Sequence, residues 1–491
     1  MIAVADDGSE LELLDDVPAG HKIARRLMKA GAPVRRYGEV IGFAGADIAR
    51  GRHVHMHNLL ERMDPSLDEQ RYAAGSGVVP VDFYPPEEMR YFEGYKRADG
   101  RVGTRNYIAV ISTVNCSASV SQMVRERFRH VERDYPGVDG VIALTHKSGC
   151  GQVQGAEDHR ALERVLAGYA RHPNVAAYVV IGLGCEVNQA PALVERHRLS
   201  LMMEPKERPA IITIQEAGGV ARAVDAATTA VERLLPRASE QKRTKEPISE
   251  LVLATNCGGS DGNSGITANP ALGWAVDELV RYGGTGILAE TTEIFGAEHV
   301  LVRRARSEAV AAKLLARIEW WQRHLAARGA AMSHNPAPGN KAGGLTTVIE
   351  KSLGGIAKAG TSPLMDVFEY AETVATRGFV YMDTPGYDPV SVTGLVAGGA
   401  NIICFTTGRG SVLGCKPTPS LKLASNTPLF RRMQDDMDID CGVILDGAPL
   451  HEVGRRIFEE VIAVASGKKS KSELAGVGEE EFAPWMMGPV L

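Results

Sequence analysis

From residue 107 onward the sequence repeats one pattern. A short run of apolar and β-branched residues meets a turn rich in Gly, Asn or Ser, and a stretch of helical period follows. Apolar runs at 107–113, 140–145 and 177–182 alternate with helical stretches near 119–132 and 157–171. The alternation resumes with runs at 251–255, 286–289, 379–382, 401–405 and 420–423, and with long helical stretches at 297–328 and 450–466. Strands buried on both faces read as continuous apolar runs, and strands separated by helices pair in parallel. The pattern therefore predicts an α/β fold with mainly parallel sheets, divided into α/β domains at 101–240 and 241–491. Residues 1–75 read differently: short runs at 2–4, 11–14, 34–36, 39–44 and 53–57, broken by Gly and Asp turns, predict a small β-rich domain. Residues 76–100, with the pair Pro85-Pro86, read as a linker, and the charged stretch 237–247 as a second one. Residues 333–362, rich in Gly, Lys and Ser, read as a long functional loop.

Composition narrows the function. Lys and Arg number 55 against 60 Asp and Glu, a net charge of −5, where general nucleic-acid or anionic-membrane binders are basic. The N-terminus lacks a basic segment followed by an apolar one, and the longer apolar stretches, 175–184 and 394–405, fall short of the ~18 residues of a membrane span. A cytoplasmic protein with neither nucleic-acid nor membrane partners is expected. The seven cysteines are odd in number and include no CxxC pair, so they read as free thiols or metal ligands. Gly182-Leu183-Gly184 lacks the third glycine of a dinucleotide fingerprint. Gly408-Arg409-Gly410 is followed by Pro417 and Pro419 where a helix should begin, and no P-loop occurs.

Four cysteines follow predicted strands: Cys116, Cys150, Cys185 and Cys257. Ligands bind outside the carboxyl ends of strands in parallel α/β sheets, so the four thiols are expected on one rim or on two facing rims. A buried, inert cysteine is an equally good reading of any one of them. His53, His55 and His57 alternate along a predicted strand and share its face, with His21 in a nearby turn. Imidazoles so grouped suit metal ligation or acid–base work, and an exposed polar face is the plainer reading. His21, His55 and His57 are expected nearer the site than His53. Glu290 and Glu293 follow the run at 286–289, where carboxylates suit proton abstraction or a hard metal. Arg409, in the turn after 401–405, is a candidate for a substrate carboxylate. Lys341, Lys351, Lys358 and Lys422 are further anion-pairing candidates, although a solvated lysine is the default for each.

These residues carry a resemblance. Gly20-His21-Lys22, Tyr37-Gly38, Ile41-Gly42 and His53 to Asn58 resemble the SAF domain of the altronate/galactarate dehydratase family. Gly103-Thr104-Arg105-Asn106, Gly149-Cys150, Gly182 to Glu186, Phe295 to Glu298, Pro338 to Gly344, Glu350 to Gly354 and Thr406 to Gly410 resemble the family's core, and the long run from Cys257 to Pro270 is the most specific. The resemblance spans nearly the whole chain. It implies an SAF-like first domain and a lyase that dehydrates a sugar acid, altronate first and galactarate second, to a 2-oxo-3-deoxy acid. A sulfolactate-type lyase is the runner-up, and a sugar-acid binding protein the non-enzymatic alternative. The implied cofactor is Fe²⁺ or Mn²⁺. The metal candidates are His55, His57, Cys116, Cys150, Cys185 and Cys257. A single iron held by His and carboxylate is preferred over an iron–sulfur cluster on the four thiols. His21, His55, His57, Glu290 and Glu293 are the catalytic candidates, and Arg409, Lys341, Ser260 and Asp261 the substrate-binding ones. The assembly expected is a homodimer.

Overall fold

The computed structural model describes residues 2–4, 8, 10–61 and 73–488, so residues 62–72, assigned to the end of the first domain, lie outside the described residues. That domain is built from short antiparallel strands. Ile2–Val4 pairs with Glu10–Glu12, Lys22–Ile23 with His53–Val54, and Glu39–Ala44 lies between Pro33–Arg36 and Leu59–Leu60. Ala24, Val34, Ile41, Ala44, Ile48, Val54 and Leu59 fill its core. The expected strand 53–57 stops at Val54. There the Asn58 side chain accepts from His55 N at 3.0 Å and donates to His53 O at 2.9 Å, closing a turn in place of a sheet ladder.

The second part is a four-stranded parallel sheet of β1 (Tyr107–Ser112), β2 (Gly140–Leu144), β3 (Val175–Gly182) and β4 (Ala210–Thr213), in spatial order β2-β1-β3-β4. Every residue of β1 and β3 is buried. Helices Ala118–Arg127 and Val220–Glu240 pack on this sheet, as does Glu157–Ala170. The stretches expected as linkers instead hold this part in place. Tyr91–Lys96 pairs with Thr244–Pro247 and with Val102–Gly103, so the chain enters and leaves through adjacent antiparallel strands. Helix Val220–Glu240 runs into the stretch read as the second linker.

The third part has a seven-stranded parallel sheet: β5 (Val252–Cys257), β6 (Thr285–Leu288), β7 (Leu364–Phe368), β8 (Gly378–Met382), β9 (Ile402–Thr407), β10 (Ser420–Ala424) and β11 (Ile439–Asp440). Its order is β7-β8-β6-β5-β9-β10-β11, so the winding reverses between β5 and β9. One apolar core joins the second and third parts. Helix Glu157–Ala170 lies so close to helix Asp388–Ala397 that a Cβ on Gly168 would stand 2.3 Å from Ala397 O. The segment 333–362, expected as a loop, contains the helices Pro338–Ala342 and Val348–Ile356 between short 3₁₀ turns.

Candidate active site

Open α/β sheets bind ligands where the strand order reverses. Here β5 ends on Cys257 at that point, and the turn after β6 brings Glu290 and Glu293 beside it. One ligand atom from each of the three buried residues lies within 4.8 Å of the others. Glu290 has φ 71°, a left-handed conformation that costs a non-glycine residue about 1–3 kcal/mol and is retained mostly at functional sites. The backbone is pinned there by bonds from Glu290 N to Thr384 Oγ1 at 2.9 Å and from Thr291 N to Thr384 O at 2.9 Å.

Two lysines complete the centre. Lys358 Nζ lies 2.8 Å from Cys257 Sγ and 3.0 Å from Glu290 Oε2. Lys351 Nζ donates to Glu293 Oε1 at 2.6 Å and to Asn335 Oδ1 at 3.0 Å, and Cys257 Sγ lies 3.4 Å from Glu293 Oε2. Burial pushes the Cys257 thiol up to about 12, against the pull of Lys358. Burial likewise raises Glu290 above the ordinary carboxylate range, opposed by Lys358. For Glu293 burial acts in the same direction, but Lys351, Lys358 and the Asn335 hydrogen bond outweigh it and hold the group ionised. Burial would discharge Lys358, yet Cys257, Glu290 and Glu293 keep it an ammonium. Glu290 Oε1 is buried without a hydrogen-bond partner among the described residues. A thiol, an orphaned carboxylate oxygen and a second carboxylate fit a divalent metal of borderline character.

A cavity of about 410 Å³ opens onto this centre, lined by Cys257, Gly258, Glu293, Asn335, Lys351 and Asp388 among others. Asp388 starts helix Asp388–Ala397 so close to Gly258 that a Cβ there would meet Asp388 Oδ2 at 2.2 Å. Burial, with the negative charge of Glu290 and Glu293, lifts the Asp388 carboxyl to about 8, so it is mostly protonated at neutral pH. Sequence reasoning missed Asp388, because Asp388-Pro389 reads as an ordinary helix start. It also took Lys351, Lys358 and Lys422 for solvated lysines by default. All three are buried, Lys422 on Leu413 O at 3.2 Å and on Ser472 Oγ.

The histidines gather on the first domain. His21 Nδ1 and His53 Nε2 are 3.0 Å apart, and the His21 and His55 rings stack at 4.8 Å. His57 is exposed and lies beside His53, their ring centroids 5.4 Å apart. His53, expected farther from the site, is thus the hydrogen-bond partner of His21. Burial and the neighbouring imidazoles lower it to about 4. His21 Nε2 meets Ala342 O at 3.3 Å and His55 Nε2 meets Lys341 O at 3.0 Å. The imidazoles therefore rest on the 338–344 segment, whose Asn340 lines the cavity and donates to Ser260 O at 2.9 Å. No three of these histidines bring ligand nitrogens within 4.8 Å of one another among the described residues. Lys341 supplies its carbonyl here, while its side chain is only half-buried.

Ser260 and Asp261 sit in the turn after Cys257. Asp261 Oδ1 accepts from Asn263 N, Ser264 N, Ser264 Oγ and Ser425 Oγ, at 3.1, 2.8, 2.8 and 2.8 Å, so its carboxylate ties two loops together. Ser260 Oγ is buried and unpartnered among the described residues. Arg409 is exposed and lines a separate cleft of about 510 Å³ with Asp261, Asn426 and Arg432. Cys116, Cys150 and Cys185 are exposed free thiols at the ends of β1, β2 and β3, on the sheet of the second part.

Comparison with known proteins agrees with this division. A family model described as altronate/galactarate dehydratase SAF domain matches residues 3–62. One described as D-galactarate dehydratase/altronate hydrolase, second domain, matches 94–239, and one described as D-galactarate/altronate dehydratase, C-terminal, matches 248–490. An altronate dehydratase of Bacillus subtilis (strain 168) is 35% identical over 94% of this chain and 90% of its own length. An altronate dehydratase of Escherichia coli (strain K12) is 36% identical over 96% of this chain and 92% of its own length. A galactarate dehydratase (L-threo-forming) of the same strain is 39% identical over 94% of this chain and 88% of its own length. With all three parts matched in order and the most specific motif opening at Cys257 in the buried centre, the chain belongs to the altronate/galactarate dehydratase family of hydro-lyases.

Proposed function

We propose that the chain dehydrates a sugar acid, altronate first and galactarate second, to a 2-oxo-3-deoxy acid with a divalent metal, Fe²⁺ or Mn²⁺. The observation that carries this reading is the buried meeting of Cys257, Glu290 and Glu293 with Lys351 and Lys358 at the floor of the cavity. Cys257 and the orphaned Glu290 oxygen would hold the metal, with Glu293 in reach. Bound there, the metal supplies Lewis-acid stabilisation of the charge that develops when C2–H is lost.

The chain's own groups do the rest. Lys351 reaches the cavity wall as an ammonium and pairs with incoming negative charge. Glu293, held ionised by that lysine, is the cavity's base for the C2 proton. Asp388, protonated at neutral pH on the same wall, hands a proton to the departing C3 hydroxyl. Loss of that water leaves an enol, which tautomerises to the 2-oxo acid. Arg409 and Arg432, which line the other cleft, would take the second carboxylate of an aldarate.

The test is an anaerobic screen of C4–C6 aldonates and aldarates, with sulfolactate included, in the presence of Fe²⁺. Formation of a 2-oxo acid from altronate or galactarate is expected. A panel without any 2-oxo product under reducing conditions overturns the reading.

A further inference from the structure

The seven cysteines fall into two groups. Cys257, Cys404, Cys415 and Cys441 are buried in the third part, while Cys116, Cys150 and Cys185 are exposed. The exposed three all lie on one rim. Strands β1, β2 and β3 are adjacent and parallel, and each exposed cysteine stands in the loop that leaves the carboxyl end of one of them. Cysteine is among the most buried residue types, so three exposed thiols on one sheet edge depart from the ordinary core role.

Hydrogen bonds lace the three loops together beside the cysteines. Asn115 N, next to Cys116, donates to Ser148 O at 2.9 Å, and Asn188 N donates to Gly149 O, next to Cys150, at 3.1 Å. Asn188 Nδ2 reaches Thr113 O at 3.0 Å. Gly149 takes φ +97°, and a Cβ there would stand 2.3 Å from Thr113 O, so only glycine lets the Cys150 loop fold over the end of β1. Asn188 Oδ1 and Gln152 Oε1 are buried at this junction with no partner among the described residues.

The rim's other metal-capable groups are occupied. His146 uses both ring nitrogens, Nε2 on Ser112 O at 3.0 Å and Nδ1 on Ser148 N at 3.2 Å. The Glu186 carboxylate accepts from Thr113 Oγ1 at 2.9 Å, Leu183 N at 3.2 Å and Gly184 N at 2.6 Å. Sulfur is left, a soft donor set that selects Cu(I), zinc or iron–sulfur clusters over hard cations. Spacing decides among these. Tetrahedral thiolates on one ion, bound at about 2.3 Å, bring their sulfurs to about 4 Å of each other. Among the described residues no such trio within 4.8 Å exists on this rim. A cluster holds its ligand sulfurs farther apart than a single ion does, and hydrogen bonds to those sulfurs tune it, as Gln215 Nε2 at 3.6 Å from Cys185 Sγ is placed to do.

We propose that Cys116, Cys150 and Cys185 ligate an iron–sulfur cluster on the second part of the chain, separate from the Cys257 centre and with one iron left to a non-protein ligand. The test uses the full-length protein, purified without oxygen and reconstituted with Fe²⁺ and sulfide, and it does not depend on finding a substrate. About four irons and four acid-labile sulfides per chain with broad visible absorption are expected. A Cys116→Ser/Cys150→Ser/Cys185→Ser variant should lose the sulfide, and a Cys257→Ser variant should keep it. Alkylation of the unaltered protein followed by mass spectrometry supplies an arm free of folding effects. Cys116, Cys150 and Cys185 should resist iodoacetamide when loaded and react after iron chelation. Absence of sulfide, a zinc ion in its place, a disulfide among the three, or sulfide lost in Cys257→Ser and kept in the triple variant would each overturn the proposal.

Discussion

Lys358 Nζ touches both the Cys257 sulfur and Glu290, and all three groups are buried. Removing one member of such a set strands the other charge in a low-dielectric interior, a loss of about 3–5 kcal/mol. Lys358→Met should lower the unfolding free energy measured in urea by that amount, and Glu290→Gln, which strands the Lys358 ammonium, should also destabilise and lower turnover at least ~100-fold. His172 and His146 contribute to the acid limb of stability. Burial lowers them to about 3 and about 4, below the ordinary 6.5. Below pH 6.5 the unfolded chain therefore binds protons that the folded chain refuses, and stability falls with pH until each folded value is passed. At pH 5 each histidine costs about 2 kcal/mol relative to neutral pH. Over the same range Asp388 and Glu290 hold protons that the unfolded chain lacks and act in the opposite sense, so the histidine part is read from a variant: in urea unfolding, His172→Gln should lose about 2 kcal/mol less than the unaltered protein between pH 7 and pH 5. An equal pH dependence in the two proteins would mean that the His172 imidazole is not buried neutral. At this scale the two glutamates and Cys257 could be singled out because they follow predicted strands, where parallel α/β sheets bind ligands. The lysines were not, since a lone lysine in a Gly-rich stretch looks solvated until its partners, distant in sequence, are in place.

The segment 338–344 and the turn after β5 form the seat of the first domain. Gly262 and Gly344 bear directly on Gly20: a Cβ would stand 2.0 Å from Gly20 O in the first case and 2.5 Å in the second. Both obstacles are backbone and cannot swing aside. Gly344→Ala, further strained by φ +100°, should lift the His21 turn from Ala342. The expected result is a fall in turnover of ~100-fold, matching His55→Asn, together with new protease cleavage near residue 20. Turnover near normal in both variants would make the histidine group a surface feature. Central strands were readable here because burial on both faces makes them uniformly apolar. The edge strands were not. Leu364–Phe368 carries Asp366 in its middle, and Thr244–Pro247 is charged, so pairing supplied by neighbours overrode local pattern. The helix Val348–Ile356 was hidden by Gly354-Gly355, poor helix formers in its last turn.

Across the whole molecule, the second and third parts share one core through the close approach of Gly168 to Ala397. Gly168→Ala should cost about 1–3 kcal/mol through overpacking and broaden thermal unfolding as the two sheets part separately. A sharp, unshifted transition in calorimetry would show that the contact yields. The first domain meets this body through Lys22 and Arg36, both of which pair with the buried Glu350. Lys22 and Glu350 lie 328 positions apart in the chain. During synthesis the small domain leaves the ribosome first, and its acidic partner follows roughly 20–60 s later. Throughout that interval the nascent chain shows a cationic, imidazole-rich face that the finished protein has neutralised, and any helper that guards the newborn chain meets a surface absent from the adult one.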